Sequence, residues 1–151
     1  MGCYSEGEAP WDAVRYLRRG AVMSEFLKGA ITFLFGGLTR HGLRLAAIPK
    51  WPRTAEGETV CVSGQGETSV IVAVRQAALS DHFDLRVVDD MIALRTSACW
   101  PIVLVGLSRL PPPLRARLSQ ESIQVFQYPE TGMKELMHRI SEMLAGIAQR
   151  Q

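Results

Sequence analysis

The sequence predicts an α/β protein with a three-layer, mostly parallel sheet and an N-terminal helical extension. Three observations carry this expectation. From Thr59 onward, short β-rich runs alternate with helical patterns. The run IVLVG, Ile102 to Gly106, is apolar throughout, as parallel strands covered on both faces must be. The chain then closes in a segment where Met133, Leu136, Met137, Ile140, Met143, Leu144 and Ile147 recur at three- and four-residue intervals, the stripe of an amphipathic helix.

Taken in order, residues 1–22 read as an N-terminal extension, 23–56 as an amphipathic helix, an edge strand and a loop, and 57–151 as the α/β domain. PWDAVRYLRRG has Pro10 in a first helical turn and Arg18 and Arg19 before a terminating Gly20. Codons for Arg-Arg-Gly can mimic a ribosome-binding site, which makes Met23 a candidate start and residues 1–22 an extension outside the native protein. Ser24 caps a helix with Leu27, Ala30 or Ile31, Leu34 and Leu38 on one face, Phe26, Phe33 and Phe35 widening it, and Gly36 and Gly37 ending it. GLRLAAIP follows as an edge strand and PKWPRTAEGE as a loop. Beyond it the expected order is a strand in TVCVSG, a helix in GETSVIVAVRQAALSDH, a strand in FDLRVVDD and a brief helix in MIALRTSA. A strand in WPIVLVGL, a helix in PPPLRARLSQES, a strand in IQVFQY and the closing helix complete the chain.

Composition narrows the function classes. The 151 residues are 47% apolar and 21% charged, ordinary for one globular core. A net charge of +2 leaves no electrostatic footprint for nucleic acid. Cys3, Cys61 and Cys99 are odd in number and far apart, which argues against a disulfide framework or a zinc site and for a reducing, cytoplasmic setting. The most apolar stretch, Gly29 to Thr39, has eleven residues, too few to span a bilayer, so no transmembrane segment is expected. Glu6 stands where a myristoylation motif requires Ser or Thr.

Open parallel sheets bind ligands at the carboxyl ends of their strands. On the expected topology those ends are residues 63–69, Asp89 and Asp90, Gly106 to Ser108, and Tyr128 to Glu130.

Three resemblances meet there. Val60 and Val62 lead into Gly64-x-Gly66-x-x-Ser69, and Asp89 follows Gly64 by 25 residues; this resembles the dinucleotide-binding Rossmann fingerprint. The resemblance implies NAD(P) or another nucleotide, with the glycine loop on the pyrophosphate and Asp89 on a ribose hydroxyl. Glu67 in the same turn opposes a phosphate. Cys61-x-x-Gly64-x-Gly66-x-Thr68-Ser69 resembles the loop of sugar-phosphotransferase IIB domains, which implies Cys61 as a phosphorylated thiolate. From Phe83 onward the chain resembles response-regulator receiver domains, a flavodoxin-like fold, with Asp89 as acceptor and Ser108 as switch hydroxyl. Tyr128 occupies the position of the receiver lysine, and no acidic pair follows an earlier strand, which points to an interaction module without phosphotransfer.

Other chemistries lack residues they need. No Lys precedes Thr68 or Ser69, as a P-loop requires, and His41, His82 and His138 have no metal-ligand spacing. Ser63, His82 and Asp89 lack a nucleophile elbow, because Cys61 takes its first glycine. The sequence therefore favours a noncatalytic regulatory or adaptor protein on a Rossmann-like or receiver-like sheet, binding a protein partner through its strand-end rim or its aromatic helix. The alternative is a nucleotide- or dinucleotide-binding protein, enzyme or not, using Gly64, Gly66, Ser69 and Asp89. A second alternative is a phosphocysteine domain using Cys61.

Overall fold

One short connection decides the topology. The computed structural model describes residues 23–64, 68–77, 85–98, 100–128 and 132–150, except for the side chains of 133 and 147–150. Strand β2 (Gly57–Ser63) is followed by β3 (Ser69–Arg75), with only residues 64–68 between them. A parallel crossover takes a dozen residues or more, so so short a link folds β3 back antiparallel, with Ser63 opposite Ser69 and Gly57 opposite Arg75.

The remaining elements assemble around that hairpin. Helix α1 (Glu25–Arg40) precedes β1 (Arg44–Ala47), which lies antiparallel to β2 at one sheet edge. After β3 come α2 (Leu85–Ser97), β4 (Ile102–Gly106), α3 (Pro112–Gln120), β5 (Gln124–Gln127) and α4 (Met133–Arg150). β4 runs parallel to β3, and β5 parallel to β4. The result is an open mixed sheet in the order β1-β2-β3-β4-β5. The expectation of a mostly parallel sheet is corrected: its β1–β2–β3 part is antiparallel.

Two further corrections share one cause. The expected helix GETSVIVAVRQAALSDH is strand β3 over Ser69–Arg75, while residues 78–84 lie outside the described residues. Val70, Ile71, Val72 and Val74 are β-branched, and all are buried. The expected strand FDLRVVDD and the short helix after it are one helix, α2, with Val87, Val88, Met91 and Leu94 buried and Asp89 and Asp90 exposed. Burying one Val, Leu or Ile is worth about 1.5–3 kcal/mol. Propensity differences of a few tenths per residue do not compete with that.

Core residues divide between the two faces of the sheet. On one, Leu27, Leu34 and Leu38 of α1 and Leu136 and Ile140 of α4 pack with Val60, Val62, Val70, Val72 and Val74. On the other, Val88 and Met91 of α2 and Leu118 of α3 pack with Cys61, Ile71, Ala73 and Leu104. α1 and β1 thus share one core and one sheet with the rest of the chain. Among the described residues no helix is long and apolar enough to cross a membrane.

Helix α1 starts where expected, Ser24 Oγ accepting from the Leu27 amide at 3.1 Å. It does not stop at Gly36 and Gly37; Gly37 is where α4 crosses, and a Cβ there would collide with the Met137 thioether. The helix ends instead at Gly42, φ +83°, with the Leu43 amide on the Leu38 carbonyl (3.1 Å) and that of Gly42 on Thr39 (3.0 Å). α3 ends by the same double bond, the Ile123 amide to the Leu118 carbonyl and the Ser122 amide to that of Ser119, each 3.0 Å, but the left-handed residue is Ser122, φ +62°. A side chain in that conformation costs about 1 kcal/mol relative to glycine. Ser122→Gly is therefore expected to stabilise the protein by about 1 kcal/mol, raising Tm by about 3 °C; a neutral or negative shift in thermal unfolding would refute the strain.

Candidate functional site

The carboxyl ends of β3, β4 and β5 form one rim, because those three strands run the same way. β2 enters the sheet at this rim and leaves it at the other end, since it is antiparallel. Residues Gly106 to Ser108 and Tyr128 thus lie on the rim as expected, whereas Ser63, Gly64, Thr68 and Ser69 lie at the opposite, hairpin end.

Hydrogen bonds lock the rim together. Gln127, last residue of β5, shares the two Nε2 hydrogens among the carbonyls of Gly106 (3.0 Å), Ser108 (2.9 Å) and Tyr128 (3.1 Å). Its Oε1 accepts from the Leu110 amide at 3.2 Å. One side chain therefore holds the β4–α3 turn against the end of β5. Buried Ser108 accepts from the Ala77 amide at 2.7 Å, tying β4 to the segment after β3. At the N-terminus of α1, the Ser24 hydroxyl donates to Gln76 Oε1 at 2.8 Å. The Phe26 ring meets that of Tyr128, centroids 6.2 Å apart. Phe26 is 53% exposed, and Leu85, 56% exposed, opens α2. Arg86 beside it pairs with Glu56 at 3.3 Å, next to the start of β2.

Beneath the rim, Arg75 ends β3 on the α2 side. Its Nη2 donates to Thr59 Oγ1 at 2.6 Å and its Nη1 to the Val74 carbonyl at 3.1 Å. Burial pushes its guanidinium down to about 10, well below the usual arginine range, against the pull of Asp90, Glu56 and Glu58. A cation with its pKa depressed in the fold costs stability where both states are protonated, below about 10; the cost is relieved as pH climbs past that value toward the ordinary arginine range. Neutral acceptors thus do part of the work that a direct ion pair would do. Arg75 is placed to organise the rim from below.

The four residues expected to hold a cofactor are not brought into one phosphate-binding turn. Gly64 and Ser69 flank the β2–β3 hairpin, with the hydroxyls of Ser63 and Ser69 bonded to each other at 2.9 Å. Gly66 lies outside the described residues. Asp89 sits on α2, 63% exposed, with Arg117 of α3 at 3.4 Å. No helix N-terminus follows Gly64, because the next element is β3, so the positive dipole end that a pyrophosphate uses is missing from that turn. Asp89 likewise belongs to a helix and does not end a strand, as a receiver acceptor would. Cys61 points into the α2–α3 core, 4% exposed, as a small apolar side chain. Among the described residues no group of three or more His, Cys, Asp or Glu stands together to hold a metal.

Sequence reasoning missed Gln127, Gln76 and Ser24 as rim residues. Ser24 was visible as a cap; its second role, reaching Gln76, depends on β3 being a strand.

Two outcomes test this geometry. Thr59→Val is expected to cost about 2 kcal/mol by stripping the buried guanidinium of its acceptor, and far less in an Arg75→Met background. Equal costs in urea denaturation of both would dissociate Thr59 from Arg75. Cys61 is expected to resist a thiol reagent in the native protein and to react on unfolding, read site by site by mass spectrometry; rapid native labelling would restore it as a nucleophile. Comparison with protein-family models, with curated proteins and with solved structures gives no match.

Proposed function

We propose that the protein is a noncatalytic adaptor whose partner seats on the patch formed by Phe26, Tyr128 and the rim around Gln76 and Ser108. The observation that carries this reading is the Phe26–Tyr128 contact. The aromatic helix and the strand-end rim were two separate candidates in the sequence. Here they form one surface, with exposed aromatic area beside hydrogen-bonding groups. Aromatic side chains that keep an apolar body exposed above a rigid polar scaffold are the usual anchors of protein interfaces. The rim is rigid because Gln127, Ser108 and Ser24 cross-brace it.

The underlying architecture reads as three layers, supported by the two core clusters with α1 and α4 in one and α2 and α3 in the other. Cys61 as a free thiol fits a reducing cytoplasm.

The test is in-cell photo-crosslinking from a photoreactive phenylalanine analogue at position 26 of the full chain. One protein adduct is expected, absent when the analogue stands at Thr96 on α2 and diminished by Tyr128→Ala. Equal adducts from both positions, or none from Phe26, would refute the adaptor reading. A thermal shift of several degrees with NAD(P)H, ATP or GTP would favour the nucleotide-binding alternative.

A further inference from the structure

We propose that the β5 edge of the sheet takes up an extended peptide segment of a partner as an added strand, with acidic residues alternating with apolar ones. The surface differs from the Phe26–Tyr128 patch, so this inference stands or fails independently of the adaptor reading.

β5 is a terminal strand of the sheet. The Tyr128 amide reaches inward to the Gly106 carbonyl at 2.9 Å. Alternation then turns the backbone amides and carbonyls of Val125 and Gln127 outward, toward the open side. Natural proteins usually blunt such edges with charge or proline. The other edge, β1, has Arg44, which reaches across to the Gly64 carbonyl at 3.1 Å. β5 reads Gln-Val-Phe-Gln and carries neither device.

Two grooves run beside this strand. One, of about 510 Å³, is lined by Arg115, Ser119, Ser122, Gln124, Val125 and Arg139, among others. Its polar lining is two guanidiniums, hydroxyls and an amide, beside Ile123 and Phe126; both arginines have partners of their own, and each still turns a cationic group toward the groove. α3 supplies Arg115 and Ser119 one turn apart, and has no acidic residue in Pro112–Gln120. The other groove, of about 430 Å³, includes Phe126, Met143, Glu142 and Arg139. Its apolar floor suits an apolar side chain, and Glu142 repels an acidic one. Arg139 lines both grooves, half-exposed, 3.0 Å from Glu135 and stacked 5.4 Å from the Phe126 ring centre.

The chemistry of the occupant follows from this division. Successive residues of an added strand point to opposite faces, so acidic residues on one face and apolar ones on the other satisfy both grooves. A second copy of the chain fits poorly, because antiparallel pairing of β5 with itself brings the same arginines together across the seam.

The probe is a fluorescent decapeptide of alternating Glu and Val, titrated against the full-length protein by anisotropy, with a Lys–Val decapeptide as control. The Glu–Val peptide is expected to bind and the Lys–Val peptide to fail. Arg139→Glu or Arg115→Glu should weaken binding about tenfold or more, and high salt should weaken it similarly. N-methylation of every second peptide amide, which leaves the protein untouched, should abolish it. Equal binding of both peptides, no binding of either, or survival of the N-methylated form would overturn the proposal. So would a dimer in sedimentation that the Glu–Val peptide does not disturb.

Discussion

The structure depends on β3 being buried on both faces while pairing antiparallel with β2 and parallel with β4. Val70, Val72 and Val74 face α1 and α4, and Ile71 and Ala73 face α2 and α3. A one-residue slip of β3 against β2 would exchange these two sets, setting the larger valine stripe against the helices that now meet Ile71 and Ala73. The hairpin fixes register on one side. The parallel pairing with β4 fixes it on the other, from Ile71 with Ile102 to Arg75 with Gly106. That register places Arg75 at the rim, opposite Gly57 on β2. Gly57 has no side chain to spare there, since a Cβ would strike the Val74 carbonyl.

From that register the rim follows. Parallel β3, β4 and β5 end together, leaving carbonyls of Gly106, Ser108 and Tyr128 at one edge of the sheet. Loops at such an edge carry polar groups that are costly to bury unpaired. One glutamine side chain, Gln127, meets three carbonyls and an amide there. With two N–H groups shared among those carbonyls, that amounts to about three modest hydrogen bonds of about 1 kcal/mol each, a large share of a domain stability of about 5–15 kcal/mol. The rim is therefore backbone braced by side-chain hydrogen bonds, with the exposed Phe26 ring lying against half-buried Tyr128 above it.

Much of this was legible in the residues, and the misreadings have physical causes. Ser24 and the stripe from Leu27 to Leu38 specified α1, while IVLVG and the stripe around Leu136 and Ile140 specified β4 and α4. The central hairpin was misread because Gly64-x-Gly66 matches the pattern of a strand-to-helix turn as well as that of a strand-to-strand turn. Composition separates the two cases: Val70 to Val74 is too β-branched for a helix opening. Val87, Val88, Met91 and Leu94 have helical spacing that adjacent valines disguise as a strand. Contacts such as Phe26 with Tyr128 and Arg75 with Thr59 were not legible, since each joins residues that only the correct register brings together.

The two ends and the two edges of the sheet differ in kind. At the hairpin end the hydroxyls of Ser63 and Ser69 satisfy each other, and Arg44 reaches the Gly64 carbonyl. At the rim, exposed Phe26 and Leu85 crown a polar scaffold. Along the sheet, β1 is guarded by Arg44, while β5 ends the sheet with uncharged side chains and an arginine on each flank. Random surface would distribute exposed apolar groups, unguarded backbone and like charge without correlation. Unguarded backbone and two arginines thus meet along β5, and the exposed Phe26 ring lies against Tyr128, its continuation, whereas Leu85 opens α2 beside Arg86 and Glu56 at the start of β2.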